Sequence, residues 1–257
     1  MKKFCRSLIG GLLLSGAWTL GSCYSYEVTQ VEGTRVAMDS TWDARPDAEA
    51  VAMLKPYKAA VDSVMGRVVG EAEMSMDSKR PEDLLSNLVA DVLREAGSQV
   101  IGIPADMGLV NVGGLRSVLS AGTITYGHVY EILPFENSLC VLTLSGDVLR
   151  QLLQNIAARG GEGVSGVKME ISADGQLLDA TIGGRPIDDE RLYSVATIDY
   201  LAEGNDGMTA LLNAQSCDCP EGATLRNLFL QYVEKQTAEG KKVASALEGR
   251  ITVKAGK

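Results

Sequence analysis

Histidine is almost missing from this sequence. One residue in 257, His128, is a histidine; there are three phenylalanines, two tryptophans and five cysteines. A lone histidine cannot build a dinuclear metal site, which draws on several histidines and carboxylates. It sits in "YGHVYEI", where a helix start or a surface position suits it. A serine nucleophile activated by that histidine has no better support, because "GVSG" at 163–166 lacks the spacing of a G-x-S-x-G elbow. Basic residues are also in deficit, 24 against 33 acids, for a net charge of −9. That excludes a phosphate-backbone binder, which needs a basic face. Long apolar runs are lacking too: "LIGGLLL" near the start is too short to span a bilayer. The cysteines form no disulfide framework. Cys140, in the alternating run "SLCVLTL", reads as a buried thiol, and Cys217 and Cys219 in "CDC" read as loop thiols without the further ligands a metal would need.

What is present begins with an export pattern. The basic "MKK", the short apolar run and "LGSC" resemble a bacterial lipoprotein signal, with residues 1–22 removed and a lipid on Cys23. Removing residues 1–22, which carry Lys2, Lys3 and Arg6 and no acid, takes the net charge from −9 to −12. Each acyl CH₂ buried in a membrane contributes about 0.8 kcal/mol. Residues 23–45 are polar and read as a tether, and 46–254 as one domain.

Within that domain, 47–65 reads as a helix kinked or broken at Pro56. "RVVGEAEM" reads as a strand, and 82–96 as an amphipathic helix stopped by Gly97. "DMGLVNVGG" is a buried strand entering a glycine turn, "ITYGHVYEIL" a short strand and helix, "SLCVLTLSG" a strand and "DVLRQLLQNIAA" a helix. "VKMEISADGQLLDATIGG" is a hairpin turning at Asp174-Gly175. A strand at 192–198 precedes a last helix capped by Thr224, and "RITVK" closes the chain as a strand. The elements alternate without a repeat, and the hairpin argues for a mixed sheet flanked by helices, an α+β fold and not a doubly wound parallel one.

Four segments stand apart, three of them glycine-rich: "NVGGLRS" (111–117), "LPFENS" (133–138), "ARGGEGVSG" (158–166) and "DYLAEGNDG" (199–207). Aromatics are scarce, yet Phe135 and Tyr200 fall beside such loops.

Together with "EDLLSNLVAD" and "EGRI" (248–251), these segments, in this order, resemble the C-terminal, nucleoside-binding domain of 5′-nucleotidases across about residues 46–254. The resemblance implies that Phe135 and Tyr200 hold a base between their faces, where stacking contributes about 1–3 kcal/mol per base. It implies that Asp206 accepts the ribose hydroxyls and that Arg116, in the turn with Gly114, meets substrate oxygens or phosphate. Asn111 and Asn137 would make polar contacts, Gly161 would belong to the site's third loop, and Arg80, with Lys79 one residue away, would supply a further arginine. Val112 and Asn205 stand where the family has glycine, which asks whether either backbone is left-handed. Glu136 and Glu203 add negative charge that disfavours a phosphate.

The family's catalytic metals sit on a metallophosphatase domain, and nothing before residue 46 supplies one. The expectation is therefore the substrate-binding part of a split 5′-nucleotidase, lipid-anchored in the cell envelope. This chain would bind no cofactor, and divalent metals would reside on a separate metallophosphatase chain. A non-catalytic nucleoside-binding lipoprotein, or a scaffold, is the alternative. Replacing Cys23 with serine should release the protein from the membrane fraction or leave an uncleaved precursor; wild-type partitioning and migration of the variant would exclude lipidation.

Overall fold

The computed structural model describes residues 28–254; the export signal and Cys23 lie outside them. The chain divides at Met53/Leu54 into two units, each taken by itself. In the first, residues 28–47 are exposed and without regular structure beyond turns at 39–45. Trp42 Nε1 donates to Ala37 O at 2.6 Å. Asp47 opens helix α1 (Ala48–Met65), its carboxylate accepting from the amides of Glu49 and Ala50, both at 2.9 Å. The helix runs through Pro56 without a break, where the sequence reading allowed a kink or a break. Pro56 removes only its own N–H from the ladder, and the turns on either side continue.

In the second unit a two-stranded sheet pairs β1 (Val68–Ala72) with β3 (Gly122–Thr125). A central five-stranded sheet is built from β2 (Met107–Val110), β4 (Leu139–Ser145), β5 (Gly163–Ser165), β9 (Leu192–Ile198) and β10 (Ser216–Asp218), in the order β10-β4-β9-β2-β5. Only β2–β9 is parallel, so the sheet is mixed as the sequence implied. A four-stranded sheet holds β6 (Val167–Ser172), β7 (Leu177–Ile182), β8 (Arg185–Pro186) and β11 (Ile251–Lys254), ordered β11-β6-β7-β8. The expected hairpin is β6–β7, with Gly175 at φ +81° in its turn.

The helices are α2 (Leu84–Ile101), α3 (Tyr126–Ile132), α4 (Gly146–Ala158), the single turn α5 (Asp199–Ala202) and α6 (Leu225–Ala238). Leu85, Leu88, Val89, Val92, Leu93 and Ala96 form the buried stripe of α2, against β2, β5 and β9. Thr224 caps α6 by accepting from Asn227 N at 3.3 Å, as read from the sequence. His128 closes a capping box with Thr125 at the start of α3.

Two expectations fail instructively. Gly97 does not stop α2; the helix runs on to Ile101 and Gly102 caps it in the left-handed region. Gly97 is glycine because a Cβ there would lie 2.5 Å from Ala196 Cβ in β9. Nor are Cys140 and Cys219 thiols: they form a disulfide across 79 residues of sequence. The antiparallel register of β10 on β4 pairs Cys217 with Leu142 and Asp218 with Val141, so the next residue, Cys219, arrives opposite Cys140. The strand β10 that creates this pairing carries no signal of its own in three exposed residues.

Gly97→Ala tests the close approach. Helix propensity alone would favour alanine by about 1 kcal/mol. The clash should outweigh it, for a net loss of about 1–3 kcal/mol. Thermal unfolding should show a melting temperature lower by several degrees, at about 2–4 °C per kcal/mol for this size.

Candidate functional site

At the end of β2 the chain leaves the core through Asn111 and tightens into a turn at Val112–Gly114. Gly114 N donates to Asn111 O at 3.0 Å, and a Cβ on Gly114 would lie 2.7 Å from Asn111 Oδ1. The glycine is therefore fixed by the asparagine side chain it faces. Val112 does not have a positive φ, so the turn needs no glycine there. Its amide donates to Glu162 Oε2 at 2.6 Å.

Glu162 is 1% exposed. It also accepts from Arg159 Nε at 2.6 Å and from Arg80 Nη2 at 2.5 Å. Arg80 Nε donates in turn to Gly161 O at 2.8 Å. Gly161 lies at φ +110°, and a Cβ there would lie 2.5 Å from Pro81 O, so this position admits only glycine. One buried carboxylate thus joins three segments distant in sequence. Lys79 pairs instead with Asp77 at 2.6 Å, which selects Arg80 as the arginine that reaches the glycine loop.

The network continues outward. Arg159 Nη2 lies 3.5 Å from Asp206 Oδ2, and Asn111 Nδ2 donates to the same oxygen at 2.7 Å. Tyr200 OH donates to Asp206 Oδ1 at 3.3 Å. Asp206 is, among the described residues, the one non-glycine residue at positive φ, 54°. For an L-residue that backbone costs about 1–2 kcal/mol, and aspartate tolerates it better than most. The question asked of Asn205 thus belongs to its neighbour. Asn205 instead ties the loop back, Nδ2 donating to Tyr200 O at 2.9 Å. Asp206's charge and, after it, burial and their hydrogen bond push the Tyr200 phenol above its ordinary range. The hydrogen bond to Glu162 does the same for the Arg159 guanidinium.

Asn111 Oδ1 is the one buried side-chain polar atom without a partner among the described residues. Flipping the amide would not help, because its nitrogen is needed for the bond to Asp206. An unpaired buried acceptor costs about 1–3 kcal/mol.

These groups floor a cleft of about 360 Å³ lined by Asn111, Gly113, Gly114, Phe135, Asn137, Arg159, Tyr200 and Asp206. The volume suits a small organic ligand. Both rings are accessible in it, Phe135 at 50% and Tyr200 at 39%. Phe135 is held from behind by Arg226, which is buried and donates to the carbonyls of Leu133 and Pro134 at 2.8 Å and of Phe135 at 3.2 Å. Arg226 also pairs with Glu136 at 2.6 Å, so the charge expected to disfavour a phosphate is already matched.

Of the residues singled out by sequence, Asn111, Gly114, Phe135, Asn137, Tyr200 and Asp206 line the cleft. Arg80 and Gly161 form the layer behind Glu162. Arg116 is exposed, with Nη1 donating to Gly113 O at 3.1 Å, and does not line the cleft. The cation at the cleft is Arg159, which sequence reasoning missed. Its signal was a charged pair, Arg159 and Glu162, in a loop otherwise made of small residues. A dinuclear metal site does not fit here: the cleft offers one carboxylate and no histidine. Among the described residues, converging metal-ligand atoms occur only at Cys140, Cys217 and Cys219, two of them already bonded to each other.

Residues 64–213 match the family described as "5′-nucleotidase, C-terminal domain". The chain belongs to the 5′-nucleotidase family. It is 29% identical to a solved 5′-nucleotidase precursor from Thermus thermophilus, with a TM-score of 0.69 over 82% of this chain and 44% of that one. Protein UshA of Yersinia enterocolitica is 27% identical over 221 residues, 82% of this chain and 39% of UshA. Endonuclease YhcR of Bacillus subtilis is 38% identical over 111 residues, 42% of this chain and 9% of YhcR. The chain thus spans less than half the length of each of these relatives. The mixed α/β architecture of the nucleotidase domain is the one its sequence implied.

Glu162→Gln keeps the shape of the hub and removes its charge. Arg80 would then lose its carboxylate partner, and Arg159 would keep only the longer pairing with Asp206. Their side chains are 33% and 31% exposed, so water offsets part of the penalty, and the loss should be about 2–4 kcal/mol, below the upper end for breaking a fully buried pair. Urea unfolding should show a lower midpoint at unchanged slope.

Proposed function

We propose that this chain is the substrate-binding part of a 5′-nucleotidase. It would capture the nucleoside portion of a nucleoside 5′-monophosphate, and a separate metallophosphatase chain would supply the divalent metals for hydrolysis. The observation that carries this reading is the pairing of two accessible rings, Phe135 and Tyr200, with a polar floor of Asp206, Asn111 and Asn137 in one cleft. A planar base can stack on such rings whatever its substituents. Asp206 has carboxylate oxygens to accept ribose hydroxyl hydrogens.

The charges favour a nucleoside over its phosphate in the isolated chain. Arg80 and Arg159 are matched by Glu162 and Asp206, leaving no net positive charge to attract an anion. The overall charge of −9 opposes one as well. The phosphate of a bound nucleotide would then be left for the metals of the partner. That division of labour fits a chain with one histidine, already used as a helix cap. We place the protein in the cell envelope, lipid-anchored through Cys23.

Calorimetry tests the reading. Adenosine should bind the purified chain, and AMP should bind no tighter. Tyr200→Ala should weaken adenosine by about 1–3 kcal/mol, the loss of one stacking face, with the fold intact because the ring is solvent-accessible. No heat with any nucleoside, with or without the metallophosphatase chain, would exclude it. Binding that no such chain converts into AMP hydrolysis would favour the non-catalytic binder.

A further inference from the structure

Three sulfur atoms gather at one edge of the central sheet, and none of them lines the cleft. Cys140 in β4 and Cys219 just after β10 are bonded. Cys217 in β10 is free and exposed, and its Sγ lies 3.6 Å from Cys219 Sγ. All three Sγ atoms lie within 4.8 Å of one another. The strand geometry makes this a built arrangement: Cys217 and Cys219 are two residues apart and share a face, and the β4–β10 register sets Cys219 opposite Cys140.

A free thiol in contact with a disulfide is a reactant beside its substrate. We infer that Cys217, Cys219 and Cys140 form an intramolecular thiol–disulfide exchange site that adjusts the wall of the cleft. Cys217 gives its proton to solvent, and its thiolate attacks Cys219 Sγ. The Cys217–Cys219 bond forms as the Cys219–Cys140 bond breaks. Cys140 leaves as a thiolate and takes a proton from solvent. Nothing is oxidised or reduced overall. Partial burial, and after it the Asp218 carboxylate, pushes the Cys217 thiol up.

The link matters because the chain beyond Cys219 reaches the cleft. Leu139 N donates to Ala223 O, and Leu225 N to Asn137 O, both at 2.8 Å. Ser138 pairs with Thr224 as an isolated bridge. Arg226, next in sequence, grips the carbonyls of Leu133, Pro134 and Phe135. The segment tied to β4 by the disulfide is therefore the one that backs Phe135 and Asn137, both in the cleft wall. Exchange replaces a cross-strand tie with a local one and leaves that segment held to β4 by hydrogen bonds alone.

The effect on ligand rests on the function proposed above; the chemistry does not. The full chain is incubated in mildly alkaline buffer without oxidant or reductant, quenched in acid, alkylated under denaturing conditions and mapped by peptide mass spectrometry. Among Cys140, Cys217 and Cys219, label should begin on Cys217 alone and appear on Cys140 in a fraction that grows to a plateau. Cys217→Ser should never release Cys140. Hydrogen exchange in residues 133–139 should quicken in wild type as that fraction grows and stay constant in Cys217→Ser. Adenosine affinity should fall in parallel. Wild-type chain in which Cys140 stays unlabelled at every time overturns the exchange site. Label on Cys140 without faster hydrogen exchange overturns its coupling to the cleft. Failure of adenosine to bind at all would count against the proposed function and leave both of these results readable.

Discussion

A carboxylate almost without access to water organises the candidate site. Burying an isolated carboxylate is prohibitively costly, and Glu162 is buried where Arg80, Arg159 and the Val112 amide converge on it. That requirement fixes where three separate loops must meet. The Val112 bond sets the turn that carries Asn111 and Gly114. The Arg159 bond aims a guanidinium at Asp206, and the Arg80 bond brings the start of α2 against the glycine loop. Asp206 can then occupy a left-handed backbone, because Asn111, Tyr200 and Arg159 all hold its side chain.

Arg226 plays the same part on the opposite wall. It spends its donors on three consecutive carbonyls and on Glu136, and its guanidinium lies 4.3 Å from the Tyr130 ring centre. A phenylalanine half open to water needs such support, because little apolar contact holds the loop around it. The charges of both walls are paired internally. The cleft therefore offers two accessible rings and hydrogen-bonding groups, with its cation already paired to carboxylates.

Much of this was legible in the residues. The periodic segments became α2, α4, α6, β4, β6, β7 and β9, because amphipathic repeats need only a core to face. Thr224 and the Asp174-Gly175 turn act locally and could be read locally. Phe135, Tyr200 and Asp206 were legible as odd residues, scarce aromatics and an acid among glycines, and their likeness to a family gave them roles. The short strands β5, β8 and β10 were not legible, since two or three residues carry no period. Gly97 looked like a stop because its reason, the Cβ of Ala196, lies 99 residues away.

Taken by itself, the sequence determined the fold class, the family likeness and the six residues that line the cleft, because each rests on local pattern or on residue types in order. Only the tertiary structure decided which charges meet. It matched Glu136 to Arg226 and removed an expected repulsion. It put Arg159, not Arg116, in the lining of the cleft. It joined Cys140 to Cys219 through a register that no run of residues announces. Ion pairs and disulfides are contacts between atoms a few ångströms apart, and where distant segments approach that closely is settled by the packing of the whole core.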